Sequence, residues 1–545
     1  MKRLILLLLG VALSLSAYAQ SSASTEEDGK EKSRGYLTGS FENNTIYYLD
    51  DSKSNAIAPD DHIGSNNYLK LDYYNGNFAA GMQLEAYLPV LLGYPTNLKK
   101  AALTNLYASW ADKGFHITAG TFYDQFGSGL LFRSWEDRML GMNNALMGAR
   151  FSYQYKDIVG VKALWGLPRF GMEFTDTQVR GVDLSLSLSN LFDWQGVSLA
   201  VEGSYLNRYE EIDGDMEEIG AKPISHGYSG RFNFETHGFT VKGEWVETGE
   251  KHVQNPFFGV NDSRVWLRKY GNAQLLELGY SGYGLGVNIA ARRLEYMNSP
   301  IITGNNSTSN LLNYTPAMCA QYTYMLTTMH PYTPQTGLPQ AMIPGEIGGQ
   351  VDIYYNFKRG TVLGGRRGMK IHGNFAMYYT LHEERSAKAG NMLLKSVNVD
   401  LEKQFNRKFK MFLLYCFQEW NPSYGENKST WLSNTFVADL TYKWTSQFST
   451  RLELQYLTTF EDHRDWMAFL LELNFAPHWS VYGSDMYNHG DTKVHYYNVG
   501  VSYTHSRTRV ALSYGRNRAG YVCSGGVCRA IPAYTGGNLA VTIAF

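Results

Sequence analysis

The last nine residues of the chain, 537–545, constrain its fold more than any other stretch. Within them every second residue is apolar, namely Leu539, Val541, Ile543 and Phe545. A period of two is the geometry of an extended strand, whose side chains point alternately to opposite faces. We therefore predict a final strand with one apolar face that ends on an aromatic residue. In a closed barrel this strand would pair with the first one.

The same alternation recurs along the chain. Apolar residues alternate with Ser, Gln, Glu or Asn in several segments, among them 82–88, 184–189, 452–456 and 471–475. One apolar and one polar face fit the wall of a membrane barrel, with lipid outside and water inside. They also fit a water-soluble sheet that is covered on one side. The alternation alone therefore leaves both possibilities open.

The lengths of the links between strands favour the barrel. Short links rich in Gly, Asn or Asp, as tight hairpins require, occur at 75–77, 112–114, 156–157, 237–238, 282, 406–407, 446 and 476–477. Long links alternate with them, at 49–65, 91–101, 125–147, 210–225, 250–269, 295–345, 381–392, 421–430 and 519–532. Bacterial barrels have short periplasmic turns and long external loops. We predict an all-β fold, a single large antiparallel transmembrane β-barrel of about 24 strands (range about 22–26) over 34–545.

The start of the chain and its composition indicate export to the cell outer membrane. A basic start, an apolar run and a small-x-small site at 17–19 predict a signal peptide over 1–19. The polar run 20–33 predicts a disordered lead-in. The chain has 40 Tyr, 27 Phe, 11 Trp and 54 Gly, which suits the aromatic girdles and tight turns of such a barrel. We expect outer-membrane lipid and the barrel assembly machinery as its partners.

Charge and cysteine content bear on other classes of protein. Lys and Arg number 49 against 50 Asp and Glu, and no basic stripe of the kind that binds nucleic acid appears. Cys523 and Cys528 form a close pair in an exported chain, which predicts a disulfide. A metal pair is the alternative, but no His or Cys lies nearby at a suitable spacing. Nothing in the sequence shows that Cys319 and Cys416 meet.

A barrel this wide is not filled by the side chains of its own wall, so other segments occupy the lumen or it is a large pore. The segment 120–150 is the first candidate, because its second half breaks the period of two. It places charges among aromatic residues, and the candidate lumen residues are Phe126, Arg133, Trp135, Glu136, Asp137, Arg138 and Arg150. We interpret it as folded inward and ion-paired with the wall; a mobile external loop is the alternative. The segment 299–346 is too rich in Pro for a strand, and we expect a lid or docking surface there.

Sites of other kinds find little support. Acidic residues at 50–51 and 60–61, the latter followed by His62, could bind Ca²⁺, but their spacing matches no known cage. His330 lies near methionines, a pattern that indicates packing more often than a soft-metal site. Ser128 lies in Gly-Ser-Gly rather than Gly-x-Ser-x-Gly, and no His stands at a spacing suited to a triad. We expect no metal site, no cofactor, no catalytic residue and no enzymatic activity.

Several stretches together resemble an uncharacterised family of Bacteroidota outer-membrane barrels that is assigned to a domain of unknown function. They are GSFENN at 39–44, YYLDD at 47–51, FYDQFGSG at 122–129, RSWEDR at 133–138 and GGVCR at 525–529. The final strand likewise resembles the terminal assembly signal of bacterial outer-membrane barrels. The resemblance implies location and fold. It brings no activity, ligand or catalytic residue.

Two functions from different classes fit these observations. The first is solute passage through a partly plugged pore, with 120–150 as the constriction. Charge rings set the selectivity of such pores, so Arg133, Arg138 and Arg150 would favour an anionic solute. The second is a structural or accessory subunit of a larger envelope assembly, with a sealed lumen and loops that bind other envelope proteins. We favour the first, because a wide barrel with a charged inner segment suits passage.

Overall fold

Twenty-four long antiparallel strands form the wall of the molecule. The structure is a computed structural model that describes residues 35–212, 214–254, 266–305, 307, 309–335 and 344–545. The predicted signal peptide and lead-in lie outside the described residues. In chain order the wall strands are β1 Tyr36–Leu49, β2 Ile63–Asn75, β3 Phe78–Tyr87, β4 Ala101–Asp112, β5 Phe115–Phe122, β6 Leu146–Tyr155, β7 Val159–Phe170, β8 Gln178–Ser187, β9 Val197–Tyr209, β10 Ile224–Thr236, β11 Phe239–Gln254, β12 Trp266–Gly282, β13 Leu285–Glu295, β14 Gly345–Phe357, β15 Met369–Leu381, β16 Ala389–Gln404, β17 Phe409–Trp420, β18 Trp431–Lys443, β19 Phe448–Thr459, β20 Trp466–Phe475, β21 Trp479–Asn488, β22 His495–His505, β23 Thr508–Asn517 and β24 Tyr534–Ala544.

The first and last strands close this sheet into a barrel. β1 pairs with β24 in antiparallel register, from Ser40 opposite Ala544 to Leu49 opposite Thr535. β24 pairs on its other side with β23. The wall therefore has no free edge that could pair with another chain. The predicted fold class and the pairing of the final strand with the first are confirmed.

The links alternate in length from one end of the chain to the other. Tight turns such as 76–77, 113–114 and 237–238 follow most even-numbered strands, and links of six residues or more follow the odd-numbered ones. The turns 188–196 and 358–368 are the longer members of the short set; the first contains the helix Leu188–Leu191. A second short helix, Gly214–Glu218, lies in the loop after β9. Neither helix is long and apolar enough to cross a bilayer, nor is any other in the described ranges.

The two faces of the wall differ in polarity. Large apolar side chains stand exposed on the outer face, among them Leu106, Trp165, Leu184, Phe232, Trp245, Leu276, Phe436, Leu454, Leu471 and Leu512. The opposite face carries charged networks, such as Arg231 bonded to both Asp183 and Glu202. An apolar outside and a polar inside are what a barrel in a bilayer requires.

The buried core lies inside the barrel rather than between two layers. Its largest cluster combines wall residues with residues of two long links; from the links come Phe126, Leu130, Leu131, Phe132, Met297, Ile301 and Leu312. The wall contributes inward-facing apolar side chains such as Val179 and Leu206. Long links therefore fold into the lumen and are packed against the wall.

Candidate functional site in the lumen

The segment 123–145, which we call the first inner segment, is anchored by an apolar contact with the wall. Phe126 is fully buried, and its ring lies against Gly181 of β8, where a Cβ atom would come within 2.7 Å of the ring. Leu131 approaches Gly227 of β10 in the same way, at 2.6 Å from an added Cβ. Two wall glycines therefore leave the room that these side chains occupy, and a larger residue would displace them.

Charged residues tie the same segment to the first strands of the barrel. The guanidinium of Arg138 pairs with Glu42 of β1 at 2.8 Å and donates to the Gln83 side chain of β3 at 3.2 Å. Glu136 accepts from the same Gln83 side chain at 2.8 Å. Asp137, in contrast, accepts from the backbone N–H of residue 140 within the segment, at 3.0 Å. Arg138 and Glu136 thus contact the wall, whereas Asp137 stabilises a turn.

Two further arginines predicted as lumen residues have other partners. Arg150, on β6, pairs with Asp124 at 3.4 Å, and Lys162 of β7 pairs with the same carboxylate at 2.8 Å. Arg133 lies over the rings of Trp135 and Tyr314, with its guanidinium carbon 4.6 and 4.1 Å from their centroids. Such cation–π contacts, like the ion pairs, stabilise the positive charge electrostatically. Arg133, Arg138 and Arg150 therefore all have partners within the protein.

A second inner segment, 296–335, crosses the lumen beside the first. The amide of Asn313 donates to the carbonyls of Leu130 and Met297, at 3.1 and 2.7 Å. Near the other end of the segment, the hydroxyl of Tyr332 bonds to Glu346 of β14, and that carboxylate pairs with buried Arg292 at 2.6 Å. The sequence predicts a lid or docking surface over 299–346. Apolar side chains of the described part of this segment are buried against wall residues. This part therefore lies inside the barrel.

The third inner element is a hairpin of the strands Gly520–Ser524 and Val527–Ile531, which we call the inner hairpin. The disulfide between Cys523 and Cys528 joins its strands, as predicted from the sequence, whereas Cys319 and Cys416 are free thiols. The Gly525 carbonyl accepts from the Tyr314 hydroxyl at 2.8 Å. Arg529 donates to the Met139 carbonyl of the first inner segment at 3.0 Å. The hairpin therefore bonds to both inner segments.

A cavity of about 630 Å³, the outer cavity, opens at the long-loop end between the inner hairpin and the wall. Aromatic side chains make up much of its lining, among them Tyr332, Trp420, Tyr424, Trp431, Trp466 and Tyr521. Its charged lining residues include Asp462 and Arg518. His330 bonds to Asp462 at 2.6 Å, and this hydrogen bond holds the pKa of the carboxyl below its usual value.

A second space of about 340 Å³, the inner cavity, adjoins the outer cavity, since His330, Tyr332, Gln418 and Tyr521 line both. Along β16 the outer cavity touches residue 393, whereas the inner cavity reaches residues 396 and 398. Because β16 runs away from the long loops, the inner cavity lies deeper in the barrel.

Tyr322 of the second inner segment lines the inner cavity, and Tyr324 follows two residues further on; we call these two tyrosines the floor. The hydroxyl of Tyr322 donates to Asp400 of β16 at 2.7 Å. The hydroxyl of Tyr324 donates to Asp439 of β18 at 3.2 Å. Both carboxylates belong to the wall, so these two hydrogen bonds join the second inner segment to the wall at this floor.

Residues considered for other sites have structural partners. Asp51 receives two hydrogen bonds from Arg516 of β23, at 2.6 and 3.2 Å, and one from Thr535 of β24 at 2.8 Å. The backbone N–H of Ser128 donates to Glu244 at 3.2 Å. Nowhere in the described ranges do three His, Cys, Asp or Glu side chains group as metal ligands would. Asp51 therefore fastens the first loop to the last two strands.

The sequence reasoning missed the cavity residues. Trp420, Trp431 and Trp466 stand at the ends of three different strands, and Arg518 and Tyr521 lie in the last long link. Tryptophans at strand ends are also what an aromatic girdle at the membrane interface predicts. Their position along the chain therefore does not distinguish lipid-facing from lumen-facing side chains.

Together these features define a closed 24-stranded barrel of the outer-membrane kind whose own long links fill much of the described lumen. The chain belongs to a family of unknown function, DUF6029, which it matches over residues 1–545. No curated protein matches it.

Three solved structures with a similar fold are distant from this chain in sequence. The P pilus usher (PapC) translocation pore is 7% identical, with 93% of this chain and 99% of that chain covered and a TM-score of 0.44. The siderophore receptor PirA from Pseudomonas aeruginosa is 10% identical, with 95% and 81% covered and a TM-score of 0.40. A mutant of the Rh. blastica porin is 10% identical, with 64% and 100% covered and a TM-score of 0.27. Likeness at this level concerns the fold alone.

Proposed function

We propose that this protein is an outer-membrane barrel that passes a small solute through a lumen gated by its own inner segments. The observation that carries the proposal is the pair of adjoining cavities, which lead from the long-loop end down the wall along β16. The outer cavity, about 630 Å³, lies within the range of about 300–1,000 Å³ of small-molecule sites. The proposal includes no catalytic step.

The floor of the inner cavity is the part that would open. Tyr322 and Tyr324 are held to the wall there by hydroxyl–carboxylate hydrogen bonds, and the Tyr322 hydroxyl also lies 3.4 Å from Nδ1 of His372. Water or a polar solute can replace such bonds, and a bond to a charged group contributes only about 1.5–3 kcal/mol net. The first inner segment is packed in the apolar cluster around Phe126, and of its residues only Met139 is among the described residues that line the two cavities. We therefore place the gate in the second inner segment rather than in 120–150.

Conductance in planar bilayers tests the gate. The double variant Tyr322→Phe, Tyr324→Phe keeps both rings and removes both hydroxyls, so its openings should be larger or more frequent than those of the wild type. Tyr415→Phe is the matched control, because the Tyr415 hydroxyl bonds at 2.8 Å to Asn434 of the neighbouring strand, away from this floor. A wild type and a double variant that are both silent would refute passage.

A sealed accessory barrel is the second candidate, and the bonds among the inner elements favour it. Asn144 of the first inner segment donates to the Leu311 carbonyl of the second at 2.7 Å. Tyr314 of the second segment bonds to Gly525 of the inner hairpin. Three elements that hold one another would form one stable plug. Stoichiometric co-purification with other envelope proteins, together with silent bilayers, would support this function.

A further inference from the structure

We propose that the outer cavity binds an anionic solute that carries a ring, with Arg518 holding the anionic group and aromatic side chains covering the ring. This deepens the proposed function by naming the class of solute. It concerns binding alone, so it can be tested without transport.

Arg518 is the cation of this site. Of the described residues that line the outer cavity, it is the one lysine or arginine, and Asp462 is the one carboxylate. The guanidinium donates a single hydrogen bond, from Nη1 to the adjacent Ala519 carbonyl at 3.0 Å. Asp462 attracts it electrostatically, but the Asp462 carboxylate is hydrogen-bonded to His330. Since a guanidinium has five N–H donors, most of those of Arg518 are free for a ligand.

Other arginines of the lumen pair with carboxylates or lie over aromatic rings, as Arg133 and Arg529 do. Arg138, Arg150 and Arg516 each contact a carboxylate at 2.6–3.4 Å. A partly buried charge without a partner costs free energy. An arginine fork matches the two oxygens of a carboxylate or phosphate group. An anionic group of the solute would therefore supply the partner that the described residues do not.

The aromatic side chains of the lining are the reason for proposing that the solute carries a ring. The rings of Trp466 and Tyr496 stack at 6.0 Å, and those of Trp420 and Trp431 meet edge to face at 5.2 Å. Tyr521 of the inner hairpin also lines the cavity, and its side chain is half exposed. Aromatic faces cover the apolar faces of rings by dispersion and desolvation.

Polar side chains in the lining add a polar requirement. Thr333 and Asn421 line the cavity. The amides of Gln335 and Gln418 also line the cavity. A ring that bears oxygen acceptors beside its anionic group would form more hydrogen bonds with this lining than a hydrocarbon ring would. Sugar acids and aromatic carboxylates share the required chemistry of an anionic group attached to a ring.

Calorimetric titration of the purified full-length barrel in a non-ionic detergent tests the class. The probes are D-glucuronate, a sugar acid, and benzoate, an aromatic carboxylate; glucose and benzyl alcohol are their neutral counterparts. We expect at least one anion to bind, and its neutral counterpart to bind at least tenfold more weakly. The anion that binds identifies which ring the cavity accepts. Equal binding of an anion and its counterpart, or no binding by either anion, overturns the proposal.

Three substitutions test the site itself. Arg518→Gln should weaken anion binding at least tenfold, and Arg518→Lys, which keeps the charge and loses the fork, should weaken it less. Tyr521→Ala should weaken binding and Tyr521→Phe should not. Arg464→Gln is the charge-matched control, because Arg464 is exposed in the neighbouring loop and does not line the outer cavity. All variants should keep the wild-type electrophoretic shift on heating, which reports an intact barrel.

The outcomes separate this inference from the proposed function. Binding that depends on Arg518, combined with silent bilayers, would support the site and refute passage. Conductance with anion binding that is unchanged in Arg518→Gln would support passage and overturn the site. An equal loss of binding in Arg464→Gln would also overturn it, since the effect would then follow from net charge alone.

Discussion

The ion pair between Glu85 and Arg169 is the contact whose loss should most loosen the outer end of the barrel beside the first inner segment. Both Nη–Oε distances are 2.7 Å, and the side chains are 2% and 1% exposed. Glu85 also accepts from the hydroxyls of Tyr87, at 3.0 Å, and Thr104, at 2.8 Å. The pair joins the end of β3 to the end of β7. Glu85→Gln removes the negative charge and keeps the shape.

The magnitude follows from what the substitution leaves behind. An arginine stays charged in a protein, so Arg169 would remain as a buried cation without its partner. Breaking a buried pair in this way costs about 3–5 kcal/mol, and each 1.4 kcal/mol is about tenfold in an equilibrium. Local opening should therefore increase by about a hundredfold or more. The double variant Glu85→Gln, Arg169→Met should recover most of this loss, because it also removes the stranded charge.

Native-state hydrogen exchange measures this opening locally. The backbone N–H of Arg169 donates to the Ala145 carbonyl at 2.8 Å, so its exchange reports contact between β7 and the first inner segment. Glu173→Gln is the control, since Lys100 and Glu173 pair at 2.5 Å across neighbouring links but are exposed. Exposed pairs contribute little, and we expect no measurable change there. Exchange in Glu85→Gln equal to that of the control, or a double variant as open as the single one, would refute the reasoning.

Two further predictions concern the first inner segment and the contact between the first loop and the last two strands. Gly181→Val should displace the Phe126 ring and make the first inner segment cleavable by added protease, whereas Gly230→Val, where an added Cβ meets nothing within 4 Å, should not; equal cleavage would contradict the packing argument. The hydrogen bonds from Arg516 lower the pKa of Asp51, so their stabilisation is present above the ordinary value of about 3.9 and is lost as pH falls through the lowered pKa. Asp51→Asn should therefore lower the unfolding temperature more at pH 7 than at pH 2, and an equal loss at both pH values would exclude this pairing.

The wall could be predicted from the sequence because its signals are local. Alternation at 184–189 or 452–456 needs only neighbouring residues, and the side chains of Leu184 and Leu454 do stand exposed on the outer face. The turns at 188–196 and 358–368 were not recognised, because both are longer than the two-residue loop of a tight hairpin. The predicted number of strands, about 24, nevertheless agrees with the wall.

The structure of the interior could be predicted only where residues close together in the sequence indicate it. The first inner segment breaks the strand period and concentrates charge, and both are visible in the sequence. The path of the second segment depends on contacts such as Tyr314 with Gly525, which are 211 residues apart. Its prolines predict only that it is not a strand. Whether such a segment covers the barrel or enters it is decided by partners that one sequence does not reveal.

The partners of each arginine distinguish Arg518 from the arginines that the sequence singles out. Arg133, Arg138 and Arg150 lie close together in sequence and so predict a positive lumen, yet their charges are occupied by rings or carboxylates. A cation attracts a solute only with the donors that its own protein leaves unused. Arg518, two residues after Arg516, fits that condition in our proposal, because the carboxylate in the cavity lining, that of Asp462, is hydrogen-bonded to His330. Pairing, rather than the number of charges, therefore decides where an anion can bind in this lumen.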